Sequence, residues 1–140
     1  MKKINLFLAG FFLICFNIYC GNAQSANKST PEIKFAQIKF KNESVDLGKI
    51  PAKINAHYDF VFSNTGNSPL KIIEARGGCH CVQAKWPETS INPGDSAVIN
   101  VEFDPTGVTG AFIRELTVRS NAKDSSVLLK LNGEVLPASK

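Results

Sequence analysis

The chain is poor in the residues that carry most catalytic and metal chemistry. Its 140 residues include two histidines, four cysteines and one tryptophan. It has no Gly-rich phosphate loop, no serine nucleophile elbow and no His-Glu-x-x-His. Those gaps remove the commonest signatures of nucleotide hydrolysis, acyl transfer and zinc proteolysis. The acids Asp46, Asp59, Glu74, Glu102 and Asp104 show no spacing that pairs two carboxylates on one surface. Positive charge is thin as well. The formal charge of +4 is spread along the chain, whereas a nucleic-acid partner calls for a clustered basic face. No long amphipathic helical period follows the first twenty-odd residues, which argues against a helical bundle.

What is present begins with a leader. Met1-Lys2-Lys3 is a positive start, Ile4 to Tyr19 is almost wholly apolar, and Gly21-Asn22-Ala23 supplies small residues where a signal peptidase reads. That order predicts a secretory signal peptide over residues 1–23. The apolar run is shorter than the ~20 residues a spanning helix needs, and no later segment is apolar enough to span a bilayer. Cleavage after Ala23 removes Cys15 and Cys20 and lowers the formal charge from +4 to +2, because Lys2 and Lys3 leave. A rival reading keeps Cys20 as a lipidated N-terminus, although Tyr19 before it is large where a lipoprotein signal wants a small residue.

Residues 24–34 are polar and small at first and read as a flexible tether, and 35–137 as one domain. In the domain, hydrophobicity has period two. Ile54, Ala56, Tyr58, Phe60 and Phe62 form one face, and Ala97, Ile99, Val101 and Phe103 another, with Val127, Leu129 and Leu131 near the end. Turn formers separate the runs at Asn64 to Pro69, Asn92 to Asp95, Asp104 to Gly107 and Ser120 to Asp124. Strands are expected near 35–40, 44–47, 54–63, 70–76, 80–86, 96–103, 111–119 and 126–135. The fold class is therefore all-β, a sandwich or barrel of about seven strands. Phe60, Phe62, Ile99, Val101 and Phe103 are expected to be buried and to face each other across the two sheets. Arg114 breaks the pattern, since it shares a face with Phe112, Leu116 and Val118. Either a bulge shifts the register or Arg114 lies at the rim with its head in water.

The only thiols beyond the leader are Cys79 and Cys81, in Gly77-Gly78-Cys79-His80-Cys81. Three readings of the pair stand open. They are small buried hydrophobes, or they form a disulfide of an exported domain. In an extended strand their Cα atoms would lie ~6.5 Å apart, at the upper end of disulfide geometry. Or they form a soft-metal site for copper or zinc, with His80 or His57 supplying nitrogen. On a regular strand His80 points away from both sulfurs. His57 otherwise reads as a solvent-facing residue, and Trp86, before Pro87, as a packing aromatic at a strand end.

Several elements occur in one order: Phe60-Val61-Phe62-Ser63-Asn64-Thr65-Gly66, Pro69-Leu70-Lys71-Ile72, Cys79-His80-Cys81, Ile91-Asn92-Pro93-Gly94-Asp95 and Leu131-Asn132-Gly133-Glu134-Val135. Together, from about Ile38 to Pro137, they resemble the DUF1573 family of exported bacterial domains. The Phe-x-Phe-x-Asn-Thr-Gly element alone is broader and recurs in Hydin-like and major-sperm-protein-like domains. The resemblance implies an immunoglobulin-like sandwich and no established activity. It departs at His80, where the family pattern usually has glycine; a left-handed turn there would be costly for histidine.

The function expected from these readings is an exported, non-enzymatic module without a cofactor, periplasmic or extracellular. Its partner would be another protein or an envelope component. The alternative is a thiol-redox or copper- or zinc-handling protein centred on Cys79 and Cys81. N-terminal sequencing of the exported form should begin at Gln24. A chain starting at a lipid-modified Cys20 would instead make it a membrane-anchored lipoprotein.

Overall fold

The computed structural model describes residues 32–137. The expected leader, its cleavage site, Cys15, Cys20 and residues 24–31 lie outside the described residues. Eight strands follow in chain order: β1 (Ile38–Phe40), β2 (Ser44–Pro51), β3 (Ala56–Asn64), β4 (Ile72–Gly77), β5 (Val82–Lys85), β6 (Ser96–Phe103), β7 (Gly110–Ser120) and β8 (Ser126–Leu136). They form two four-stranded sheets, ordered β1-β3-β6-β5 and β2-β8-β7-β4. The expected all-β sandwich is present, with eight strands where about seven were expected.

Period two sets the core. In β3, Phe60, Phe62 and Asn64 are buried, while His57, Asp59 and Val61 on the alternate positions are exposed. In β6 the buried set is Ile99, Val101 and Phe103. Burying each such side chain stabilises by roughly 1.5–3 kcal/mol. The five residues are buried as expected, but they do not face each other across the sheets. β3 and β6 are antiparallel neighbours in one sheet, with Phe60 opposite Ile99 and Tyr58 opposite Val101. Alternation fixes which face a residue takes and is silent about which sheet it joins. Leu116, Val118, Leu129 and Leu131 of β7 and β8 complete the core from the other sheet. One direct link is the stack of Phe103 on Phe112, with ring centroids 4.4 Å apart.

Two other expectations are corrected or resolved. Ile54 lies ahead of β3 and is 58% exposed, because the turn closed by the Ile54 N–H on the Pro51 carbonyl (3.3 Å) precedes the strand. Arg114 sits at the rim. β7 pairs with β8 without a break from Gly110 to Arg119, so no bulge moves it. Its guanidinium lies 5.9 Å from the ring centroids of both Phe103 and Phe112 and donates to the Ile113 carbonyl at 2.9 Å. The stem covers the stacked rings while the cation interacts with their faces.

Asn64 is the one fully buried amide side chain, at 0% exposure among the described residues. Its Oδ1 accepts from the N–H groups of Gly66 (3.0 Å) and Gln37 (3.4 Å). Its Nδ2 donates to the carbonyls of Ser68 (2.8 Å) and Ile91 (3.0 Å). Its own N–H reaches the Asp95 carbonyl (2.9 Å), and its carbonyl accepts from Gly94 (2.8 Å). One residue thus joins the approach to β1, the β3–β4 loop and the turn before β6. Gly66 is required beside it, since an added Cβ would meet the Phe35 carbonyl oxygen, the Gln37 nitrogen and the Ala36 carbonyl carbon, all closer than 3.0 Å.

Phe62→Ala should cost ~3–5 kcal/mol through lost burial and a cavity. Asn64→Ala should cost about as much, because several buried backbone groups lose their partner at ~1–3 kcal/mol each. Thermal unfolding checks both; a drop of only a few degrees for Asn64→Ala would mean that water replaces the amide without loss.

Candidate functional site

Cys79, His80 and Cys81 lie in the turn that carries the chain from β4 in one sheet to β5 in the other. The strand expected over 80–86 begins only at Val82. The turn is closed by the Val82 N–H on the Cys79 carbonyl (3.3 Å). It is tied to each sheet by one further bond: Gly78 N–H to the Glu115 carbonyl (2.9 Å) and Asp104 N–H to the Cys81 carbonyl (2.8 Å). The chain turns here because Gly77 lets two backbones meet. A Cβ on Gly77 would lie 2.5 Å from the Val82 carbonyl oxygen and 2.9 Å from its Cβ.

Since the segment turns, the two cysteines do not share a strand face. Their Cα atoms are 5.2 Å apart, and the sulfurs are joined to each other. Both are half-buried and pack against the core edge, while His80 between them is exposed. Among the described residues with φ > 0, Lys53 is the only non-glycine, so the turn accommodates His80 without the left-handed conformation that glycine would have offered. Next along, the Asp104 carboxylate accepts from the Thr106 hydroxyl and N–H, the latter at 2.9 Å, and these bonds hold its pKa below the usual carboxylate value.

The other candidate residues are dispersed. His57 is exposed on the outer face of β3, opposite Glu102 and two strands from β5. It borders a hollow of about 300 Å³ with Asp59 and Asn100. Among the described residues no three or more His, Cys, Asp or Glu side chains converge to hold a metal ion, and sulfurs bonded to each other offer no thiolate pair. Trp86 is half-buried against the core just past β5.

Beside the cysteine turn is a feature that sequence reasoning missed. β4 and β5 are the last strands of their sheets, and a cleft of about 660 Å³ opens between them. Its walls are residues 75–77 of β4 and 82–84 of β5, with the turn at one end and Thr117 beneath. Ala75, Gly77 and Ala84 are too small to fill the mouth between the sheets. Arg76 and His80 are the titratable side chains of the lining, which contains no carboxylate. The Gly77-Gly78 pair was the available signal; nothing in the sequence places β4 and β5 at the same border of the sandwich.

A family model described as protein of unknown function (DUF1573) matches residues 38–135. Among solved structures, a protein of unknown function from Porphyromonas gingivalis W83 superposes with a TM-score of 0.63 at 16% identity, over 72% of this chain and 47% of that one. The chain therefore spans about half the length of that protein. The ASH/PapD-like domain 7 of human CEP192 gives 0.57 at 11% identity, over 75% of this chain and 89% of that one. The Vibrio cholerae VesB protease gives 0.55 at 11% identity, over 72% and 32%. At such identities the likeness speaks for an immunoglobulin-like sandwich. No curated protein matches the chain.

The joined cysteines enclose one intervening residue, so they restrict the unfolded chain far less than a bridge between distant strands would. Replacing both by serine should leave the fold intact and cost roughly 1–2 kcal/mol. Circular dichroism and thermal unfolding check this. A double-serine protein that does not fold would show that the turn anchors both sheets and that the small-loop argument fails.

Proposed function

The chain belongs to the DUF1573 family, and on that premise we propose that it is an exported, non-enzymatic sandwich module that binds another protein or a component of the cell envelope. The observation that supports this reading is the open cleft between β4 and β5. It pairs two sheet borders with small side chains and a cationic lining, a combination suited to recognition. Sandwich modules use their sheet edges and end loops as contact surfaces. Among the described residues no helix is long and apolar enough to cross a membrane.

Affinity capture of the tagged full-length protein from the envelope of its own cells tests the reading. The expected outcome is saturable enrichment of one or a few envelope components over a tag-only control. Cytoplasmic fractionation of the native protein, or no enrichment after crosslinking, would overturn it. Stoichiometric copper or zinc in freshly purified protein, with two titratable thiols, would turn the assignment to the metal-handling alternative.

A further inference from the structure

We infer that the cleft accepts an extended acidic segment of a partner protein, which adds to the free edge of β5 as an extra strand and sets a carboxylate against Arg76 and His80. This deepens the binding function proposed above and rests on it.

The backbone of β5 is prepared for such a strand. Val82 pairs with Phe103, and the Asp104 N–H bonds to the Cys81 carbonyl (2.8 Å). In an antiparallel ladder that makes Val82 and Phe103 a pair not bonded to each other. Cys81, Gln83 and Lys85 then face β6, while Val82 and Ala84 turn their N–H and C=O groups outward. The Cys79 carbonyl takes the Val82 N–H. The Val82 carbonyl oxygen is packed against Gly77, so both groups of Ala84 are what the edge leaves for a partner. Across the cleft, the Gly78 to Glu115 bond and the pairing of Gly77 with Leu116 put the Gly77 and Ala75 groups outward by the same rule.

The remaining borders carry features that natural sheets use against stray pairing. β1 is only three residues long, and Ala36 just ahead of it bridges to Ala122. β2 is broken by a register shift between Asp46 and Lys49 and ends in Pro51, and β4 shifts between Ile72 and Glu74, ahead of the cleft. β5 pairs with β6 without a shift and lacks proline, and its one charged residue, Lys85, disfavours a basic partner rather than an acidic one. Charge then selects the occupant. The lining carries Arg76 and His80 and no carboxylate; an arginine binds a carboxylate through two parallel hydrogen bonds. On either side of Trp86, Lys85 and Glu88 offset each other, so the positive bias belongs to the cysteine end. A second copy of the chain fits poorly. Two four-residue edges would bury far less than the ~1,200 Å² of a stable interface, with the cations of both copies brought together.

The probe is a short fluorescent peptide of alternating valine and glutamate, with a valine–lysine peptide as control. It is titrated against the full-length protein by anisotropy and mapped by backbone amide spectra. The expected result is binding of the acidic peptide alone, with shifts at Ala75, Gly77 and Ala84. Ala84→Pro removes an outward N–H and spares the bonds to β6, as proline is tolerated on an edge. It should weaken binding at least ~10-fold, a change of about 1.4 kcal/mol. Arg76→Glu should weaken it similarly and admit the lysine peptide, which keeps the test decisive if Ala84→Pro does not fold. Absence of binding up to about 1 mM, shifts confined to β1 or β2, or indifference to both variants would overturn the inference. So would a dimer of the protein alone that Ala84→Pro abolishes, since the edge would then serve self-pairing. If the wild type and Ala84→Pro capture the same envelope component equally well, the binding function stands and the edge assignment falls.

Discussion

The buried amide of Asn64 is the interaction on which the sandwich depends. A strand that ends in the core must dispose of its last polar groups, because unsatisfied ones cost ~1–3 kcal/mol apiece. Asn64 does so for three segments at once, through Gln37, Gly66 and Ser68, Ile91, and the 94–95 turn. Its side chain gives the interior two donors and two acceptor sites in a fixed plane. Aspartate would bring a buried charge and no donor; leucine would leave backbone groups unpaired. The hub therefore sets where the β3–β4 loop returns to the other sheet, and so where β4 starts.

From that starting point the two sheets part company at one border. β4 and β5 are linked by a turn of four residues, 78–81, and are close enough at Gly77 and Val82 that a methyl group would collide with backbone. Farther along, Ala75 and Ala84 are the side chains available to bridge the gap, and they are too short. The wedge between the strands is a direct consequence of small residues at a sheet-to-sheet crossover. The cysteine pair keeps the narrow end of the wedge fixed while the wide end stays accessible. Its contribution is local shape, since a bridge over one residue adds little to global stability.

Much of this was legible in the sequence, and the rest was hidden for definable reasons. The alternation of Phe60, Phe62, Ile99, Val101 and Phe103 revealed strands and inward faces, because burial writes period two into any half-buried strand. It did not reveal that β3 and β6 share a sheet, since pairing depends on connections that composition does not encode. Asn64 was readable as a turn former, while its hub role requires the 35–37 and 91–95 segments to arrive in space. His80 and Cys81 read as the start of a strand because they lead into the alternation of Val82, Ala84 and Trp86; the close approach of Gly77 to Val82 turns the chain there instead. Arg114 left two readings, and only the unbroken β7–β8 ladder selects the rim. The cleft was invisible, because an unpaired edge is a property of topology.

The pairing of β2 with β8 bears on how the chain reaches this state. The two strands lie side by side and parallel, although Ser44 and Asn132, which bond across them at 3.1 Å, stand 88 residues apart. Contacts of such separation demand that a long loop close before they repay its entropy. A chain emerging N-terminus first can assemble β1, β3, β5 and β6 as soon as Phe103 appears. β2 must wait with an open edge until the last strand of the domain is made. The second sheet is therefore the late, exposed stage of folding, and the bulge around Gly48 and the terminal Pro51 sit on the strand that waits longest. Features that look like irregularities in the finished sandwich protect it earlier, when an unpaired strand is most open to the wrong neighbour.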